Sequence, residues 1–121
     1  RHPELVGHHL LLGGDLAASV PRLTAAARSA MAKASYPEAS ALIERALKAI
    51  ETLDDSPEIL SQSIDLSFLA YAARGLRGNP DELLAILRDA EIKAVRLKDP
   101  IRLCKALSSQ TYLLASAGHV N

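Results

Sequence analysis

Residues 35–50 read SYPEASALIERALKAI, and this stretch decides the fold. Pro37 stands where a helix begins, because its ring holds φ near the helical value and the N–H it lacks is one that the first turn leaves unbonded anyway. Ser35, with Glu38 three residues on, has the form of a capping box. Behind it Ala39, Leu42, Ile43, Ala46, Leu47 and Ile50 recur at the helical period, so one face of this helix is apolar and must be covered.

The same punctuation recurs outward from this helix. Ser56-Pro57, Asn79-Pro80 and Asp99-Pro100 each set a good N-cap residue directly before a proline. Leu66, Leu69, Ala70, Ala73 and Leu76 continue the helical period in the next segment, and Leu83, Leu84, Leu87, Ala90, Ala94 and Leu97 in the one after. No stretch alternates as a strand does. Helices are predicted over 3–12, 16–33, 37–53, 57–76, 80–97 and 101–117, about six in all, with Pro21 near the start of the second. Gly13-Gly14-Asp15 reads as a helix stop followed by a new N-cap. Short connections force consecutive helices to lie antiparallel.

Pro37 and Pro80 are 43 positions apart, as are Pro57 and Pro100, so a helix hairpin is being repeated. One hairpin cannot cover both of its faces. The expected solution is an all-α stack, a right-handed solenoid of antiparallel hairpins with a concave side, forming a single domain over residues 1–121.

Bulk composition narrows the function. Apolar residues make up 49% of the chain but aromatics only 3%, so the core is built of Leu, Ala, Ile and Val. Fourteen Lys and Arg balance fourteen Asp and Glu, leaving no net field to attract nucleic acid or an anionic membrane. The single cysteine, Cys104, excludes an internal disulfide and points to a reducing, cytoplasmic setting; its neighbours Leu103, Ala106 and Leu107 predict a packed thiol. No run of about 18 apolar residues is present to span a bilayer. The opening Arg1-His2-Pro3-Glu4 and the close at Gly118-His119-Val120-Asn121 read as cuts through a longer pattern, and the cut end is a candidate for self-association.

Within this frame the residues resemble tetratricopeptide repeats. Ala34-Ser35-Tyr36-Pro37-Glu38-Ala39, followed by Ile43, Ala46 and Leu47, looks like that family's turn, Tyr, Glu-Ala and Ala-Leu series. Leu23, Ala26, Ala27 and Ala30 fill the corresponding first-helix places, Leu66, Leu69, Ala70 and Ala73 repeat them, and Leu107, Thr111, Leu114 and Gly118 follow more weakly. The glycine of the turn is Ala34 here, no proline closes the repeat near Glu51, and the period exceeds the usual ~34 residues, so HEAT-like or armadillo-like stacks also fit. The opening Arg1 to Val6, with His8-His9 and Gly14-Asp15, resembles the helical-repeat region that follows the ATPase module in large bacterial signalling proteins such as class III nucleotidyl cyclases and LuxR-type regulators.

Chemistry is sparse. His2, Glu4, His8 and His9 hold zinc-ligand types, but neighbouring helical residues diverge by about 100°, so no metal site or other cofactor is expected. Gly13-Gly14 lacks the spacing and the Lys-Ser/Thr of a phosphate loop. Asp54, Asp55 and Glu58 suit a helix start. Arg88, Lys93, Arg96, Lys98 and Arg102 alternate with Asp89, Glu91 and Asp99 and have no aromatic set to stack bases, which predicts a solvated face. No nucleophile, base and oxyanion set converges, so no enzyme is expected.

The expected working surface is the concave side, at first-helix positions off the apolar stripe: Thr24, Arg28, Ser67, Tyr71, Arg74, Ser108 and Tyr112, with Tyr71 and Tyr112 at corresponding places. Tyr and Arg anchor interfaces by combining area with fixed hydrogen-bonding geometry. The partner class that follows is a protein or peptide, the parent's neighbouring domains included. The alternative is a sensor enclosing a small apolar molecule and shifting a signalling equilibrium.

Overall fold

A computed structural model describes residues 5–75 and 78–117, with side chains from Leu16 onward. Among the described residues there are five helices and no strand: α1 (Leu5–Ala32), α2 (Tyr36–Glu51), α3 (Pro57–Arg74), α4 (Pro80–Leu97) and α5 (Pro100–Ser116). None of them is long and apolar enough to cross a membrane.

The caps follow the proline punctuation. Ser56 Oγ accepts from the Ile59 N–H at 3.1 Å, Asn79 Oδ1 from the Asp81 N–H at 2.8 Å, and Asp99 Oδ1 from the Arg102 N–H at 3.0 Å. At α2 the expected capping box does not form, for Ser35 makes no side-chain cap. The preceding turn is closed by backbone instead, with the Ser35 N–H donating to the Ala30 carbonyl at 2.8 Å and Ala34 at φ +58°.

Residues read as two helices, 3–12 and 16–33, form the single helix α1. Gly13 and Gly14 each cost about 1 kcal/mol relative to Ala in a helix interior, but they do not compel a break, and the Leu- and Ala-rich flanks carry the helix through. Asp15 is therefore no N-cap, and Pro21 lies deep inside α1. At the other end, α3 stops at Arg74, because Gly75 turns the chain out at φ +52°, ψ −144°.

Successive helices pack on one another along the chain, and α1 also touches α3. Two cores result. In the first, Val20 and Ala27 of α1 meet Ile43, Ala46 and Ala49 of α2 and Leu66, Ala70 and Ala73 of α3. In the second, Ile64 and Phe68 of α3 meet Leu83, Leu87, Ala90 and Ala94 of α4 and Ala106 and Leu113 of α5. Helix α3 is thus covered on two faces. This explains why its buried set includes Ser63 and Ser67, whose small side chains fit between helices; the Ser67 hydroxyl donates to the Ser63 carbonyl at 3.1 Å.

Cys104 is exposed, contrary to the packed thiol expected. The inward stripe of α5 runs through Leu103, Ala106 and Leu113, and Cys104 is rotated from Leu103 by about 100° onto the outer side. Ile92, Val95, Ile101 and Leu107 are exposed as well.

Candidate interaction surface

Side chains tie α5 to α3. The main tie is Arg102 of α5. Its Nε and Nη2 donate to the two carboxylate oxygens of Asp65 on α3 at 2.9 and 2.8 Å, and its Nη1 donates to Asp99 at 2.7 Å. These bonds hold the guanidinium above its ordinary pKa, the bonds to Asp65 contributing most and those to Asp99 next. The Asp99 carboxyl is held below the usual carboxylate range, first by the backbone N–H of Arg102 that it caps and then by the guanidinium. Lys105 of α5 rests its ammonium 4.6 Å from the centre of the Phe68 ring of α3.

Two grooves involve α3. Between α1 and α3 lies one of about 240 Å³, lined by Pro21, Thr24, Ala25, Arg28, Gln62 and Asp65. Thr24 spends its proton on the Val20 carbonyl at 2.8 Å, leaving its oxygen as an acceptor. Gln62 lines this groove, and its Oε1 is buried with no hydrogen-bond partner, at a cost of about 1–3 kcal/mol for an acceptor of this kind. Arg28 is exposed at the rim.

The second, a cleft of about 310 Å³, lies where α3, the start of α4 and the end of α5 meet. Tyr71, Leu83, Tyr112 and Leu113 wall it, with Gly75, Gly78 and Pro80 at one end. Burial, and after it the neighbouring Tyr112, pushes the Tyr71 hydroxyl above its usual pKa of 10.0.

The residues expected to form one line are therefore distributed. Thr24 and Arg28 share the first groove; Tyr71 and Tyr112 share the second. Arg74 borders a different groove, with Tyr36, Pro37, Asn79 and Glu82, and its Nη1 sits 3.3 Å from Glu82 Oε1. That pair is too open to solvent to contribute more than a few tenths of a kcal/mol. Ser67 is buried between helices, and Ser108 is exposed on α5.

Tyr71 and Tyr112 also differ in burial: Tyr71 packs against the second core, whereas Tyr112 is 64% exposed. They are two positions short of the 43-residue spacing, which pairs Tyr71 with Leu114 and Tyr112 with Leu69. Two residues are about 200° on a helix, enough to change the face.

The basic run on α4 and α5 is only partly a solvated face. Arg88 and Lys98 are exposed, but Lys93 bonds Ser63 Oγ at 2.7 Å and Asp89 at 2.8 Å, Arg96 reaches Asp55 at 3.1 Å, and Arg102 makes the tie described above. The Asp99–Arg102 half of that tie was readable as an i, i+3 pair. Its Asp65 half, like Gln62, carries no sequence signal, since it depends on how α3 sits against its neighbours.

His2 and Glu4 lie outside the described residues, as do the side chains of His8 and His9 and the end at Gly118-His119-Val120-Asn121. Among the described residues no group of His, Cys, Asp and Glu is arranged to hold a metal. Compared with protein-family models, with curated proteins and with solved structures, the chain matches none of them.

Proposed function

We propose that this chain is a tetratricopeptide-like helical-repeat segment that binds a peptide or protein along the face of α1, α3 and α5, and that it works by shape and groove contacts rather than catalysis. The observation that carries the reading is the α1–α3 groove, which Arg28, Thr24 and Gln62 line together, with Arg28 exposed and the Gln62 Oε1 buried without a partner. An amide N–H of a bound chain is the donor that Gln62 lacks. Arg102, tied to Asp65 and Asp99, holds α5 in register with α3 and so keeps the face continuous. A scaffold or regulatory role inside a larger bacterial signalling protein, in the cytoplasm and next to an ATPase or cyclase module, is the setting that the sequence resemblance suggests.

The test is selection of binders from a random peptide display library on the folded chain, followed by affinity measurement on Arg28→Ala, Gln62→Leu and Tyr112→Ala. The expected result is weakening of about 10-fold or more by Arg28→Ala, in line with the cost of removing an interface anchor. Binders that keep their affinity for all three variants would overturn the reading.

The cleft between Tyr71 and Tyr112 favours a second reading, a sensor for a small apolar molecule, because about 310 Å³ is at the lower end of ligand-sized sites. Thermal shift across a panel of apolar metabolites checks it. Stabilisation that disappears in Leu83→Trp would favour the sensor over the peptide groove.

A further inference from the structure

We propose a second docking surface, on the groove between α1 and α2, whose occupant is an acidic amphipathic helix of a partner protein. The groove encloses about 830 Å³ and has an apolar floor of Leu16, Leu23 and Ala49 bordered by Arg22, Arg45 and Lys48. No carboxylate lines it among the described residues.

The three cations are the point. Arg22, Arg45 and Lys48 make no ion pair among the described residues, as Arg28, Lys33, Arg88, Lys98 and Lys105 make none; what sets the three apart is that they border one apolar groove. Glu44, beside Arg45 in sequence, lines a separate pocket with Ile43, Ala70 and Arg74. Three charges of α2 are thereby placed, with Glu44 toward α3 and Arg45 and Lys48 toward α1. Among the described residues, the charged side chains lining this groove are all positive.

The polar groups between the cations do not compete for a ligand's acceptors. Ser19 donates to the Leu16 carbonyl at 2.7 Å and Thr52 to the Ala49 carbonyl at 2.8 Å. The walls, Leu16 to Leu23 and Arg45 to Thr52, each rise about 10 Å, or two helical turns. A helix laid there covers the apolar floor with residues at i, i+3, i+4 and i+7 and sets Asp or Glu against the cations on the rim. Nucleic acid is disfavoured, because no aromatic ring lines the groove to stack a base.

The experiment uses a fluorescein-labelled helical peptide of two to three turns with Leu at i, i+3, i+4 and i+7 and Glu elsewhere. Its Lys-for-Glu counterpart, a single-stranded oligonucleotide and anionic phosphatidylserine vesicles are compared with it. The acidic peptide is expected to bind saturably, to weaken about 10-fold or more in the Arg45→Glu, Lys48→Glu variant, and to weaken as salt rises. A Lys33→Glu, Arg88→Glu control carries the same charge change away from the groove and is expected to bind as the wild type, with both variants' folding checked by circular dichroism. No saturable binding of the acidic peptide, equal binding of the Lys peptide, equal loss in the control, or tighter binding of the oligonucleotide or vesicles would each overturn the proposal. Peptides selected on Arg28 and Gln62 use another face, so the two outcomes are separable.

Discussion

Two turn residues show how backbone conformation sets the sign of a substitution. Ala34 is at φ +58°, where an L side chain costs about 1–2 kcal/mol and glycine little. Ala34→Gly is therefore expected to stabilise the fold by about 0.5–1 kcal/mol, after the extra entropy that glycine gives the unfolded chain. Gly75, at φ +52° and ψ −144°, occupies a region that other residues avoid, and Gly75→Ala is expected to destabilise by about 1–3 kcal/mol. Urea midpoints of the two variants, shifting in opposite directions, check this. Side-chain ionisation offers two further readings. Asp99 has a depressed folded pKa, so its stabilisation is present above the unfolded value and is lost as pH falls through the folded one; Asp99→Asn, which keeps a cap acceptor, should flatten the stability profile below about pH 4. Tyr71 is shifted the other way, so the native state holds its proton longer and loses stability as pH rises past about 10, a loss absent in Tyr71→Phe.

At the scale of elements, α1 and α3 carry the lessons. Pro21 inside α1 leaves the Ala17 carbonyl without its helical N–H, so Pro21→Ala is expected to stabilise the fold by about 1–3 kcal/mol in chemical denaturation, and a loss instead would mean the ring itself is needed in the α1–α3 groove. Helix α3 serves both cores through opposite faces, Leu66 to one and Ile64 to the other. Leu66→Ala should cost about 2–5 kcal/mol, and because α3 is shared, probes of either core should melt in one transition. Non-coincident melting would mean the two cores fold separately. The helices themselves are largely readable from proline, N-cap and apolar period, with starts at Pro57 and Pro80 as expected and α5 starting at Pro100, one residue before the expected 101. Gly13-Gly14-Asp15 differs: it reads as a stop by turn propensity, whereas two glycines weaken a helix without ending it, and α1 runs through them.

For the whole molecule, Ile92 and Val95 of α4 and Ile101 and Leu107 of α5 are large apolar side chains left exposed. The end formed by 118–121, for which the sequence suggests self-association, lies outside the described residues; the exposed apolar side chains of α4 and α5 are the described candidates for such a contact. Light scattering should show any concentration-dependent association decrease in Ile101→Glu, Leu107→Glu, while persistence of the association would place the contact elsewhere.

Local chemistry determined what is local. Proline, the residue before it and the 3.6-residue period specify the helices, because they act within a turn or two of chain. Tertiary structure alone decided which residues meet: Asp65 with Arg102, Tyr71 with Tyr112, and Arg22 with Arg45 and Lys48 around one groove. Each of these sets joins different helices, and a change of one residue in register turns a helical side chain by about 100°, so pairing between helices depends on packing that no single stretch encodes.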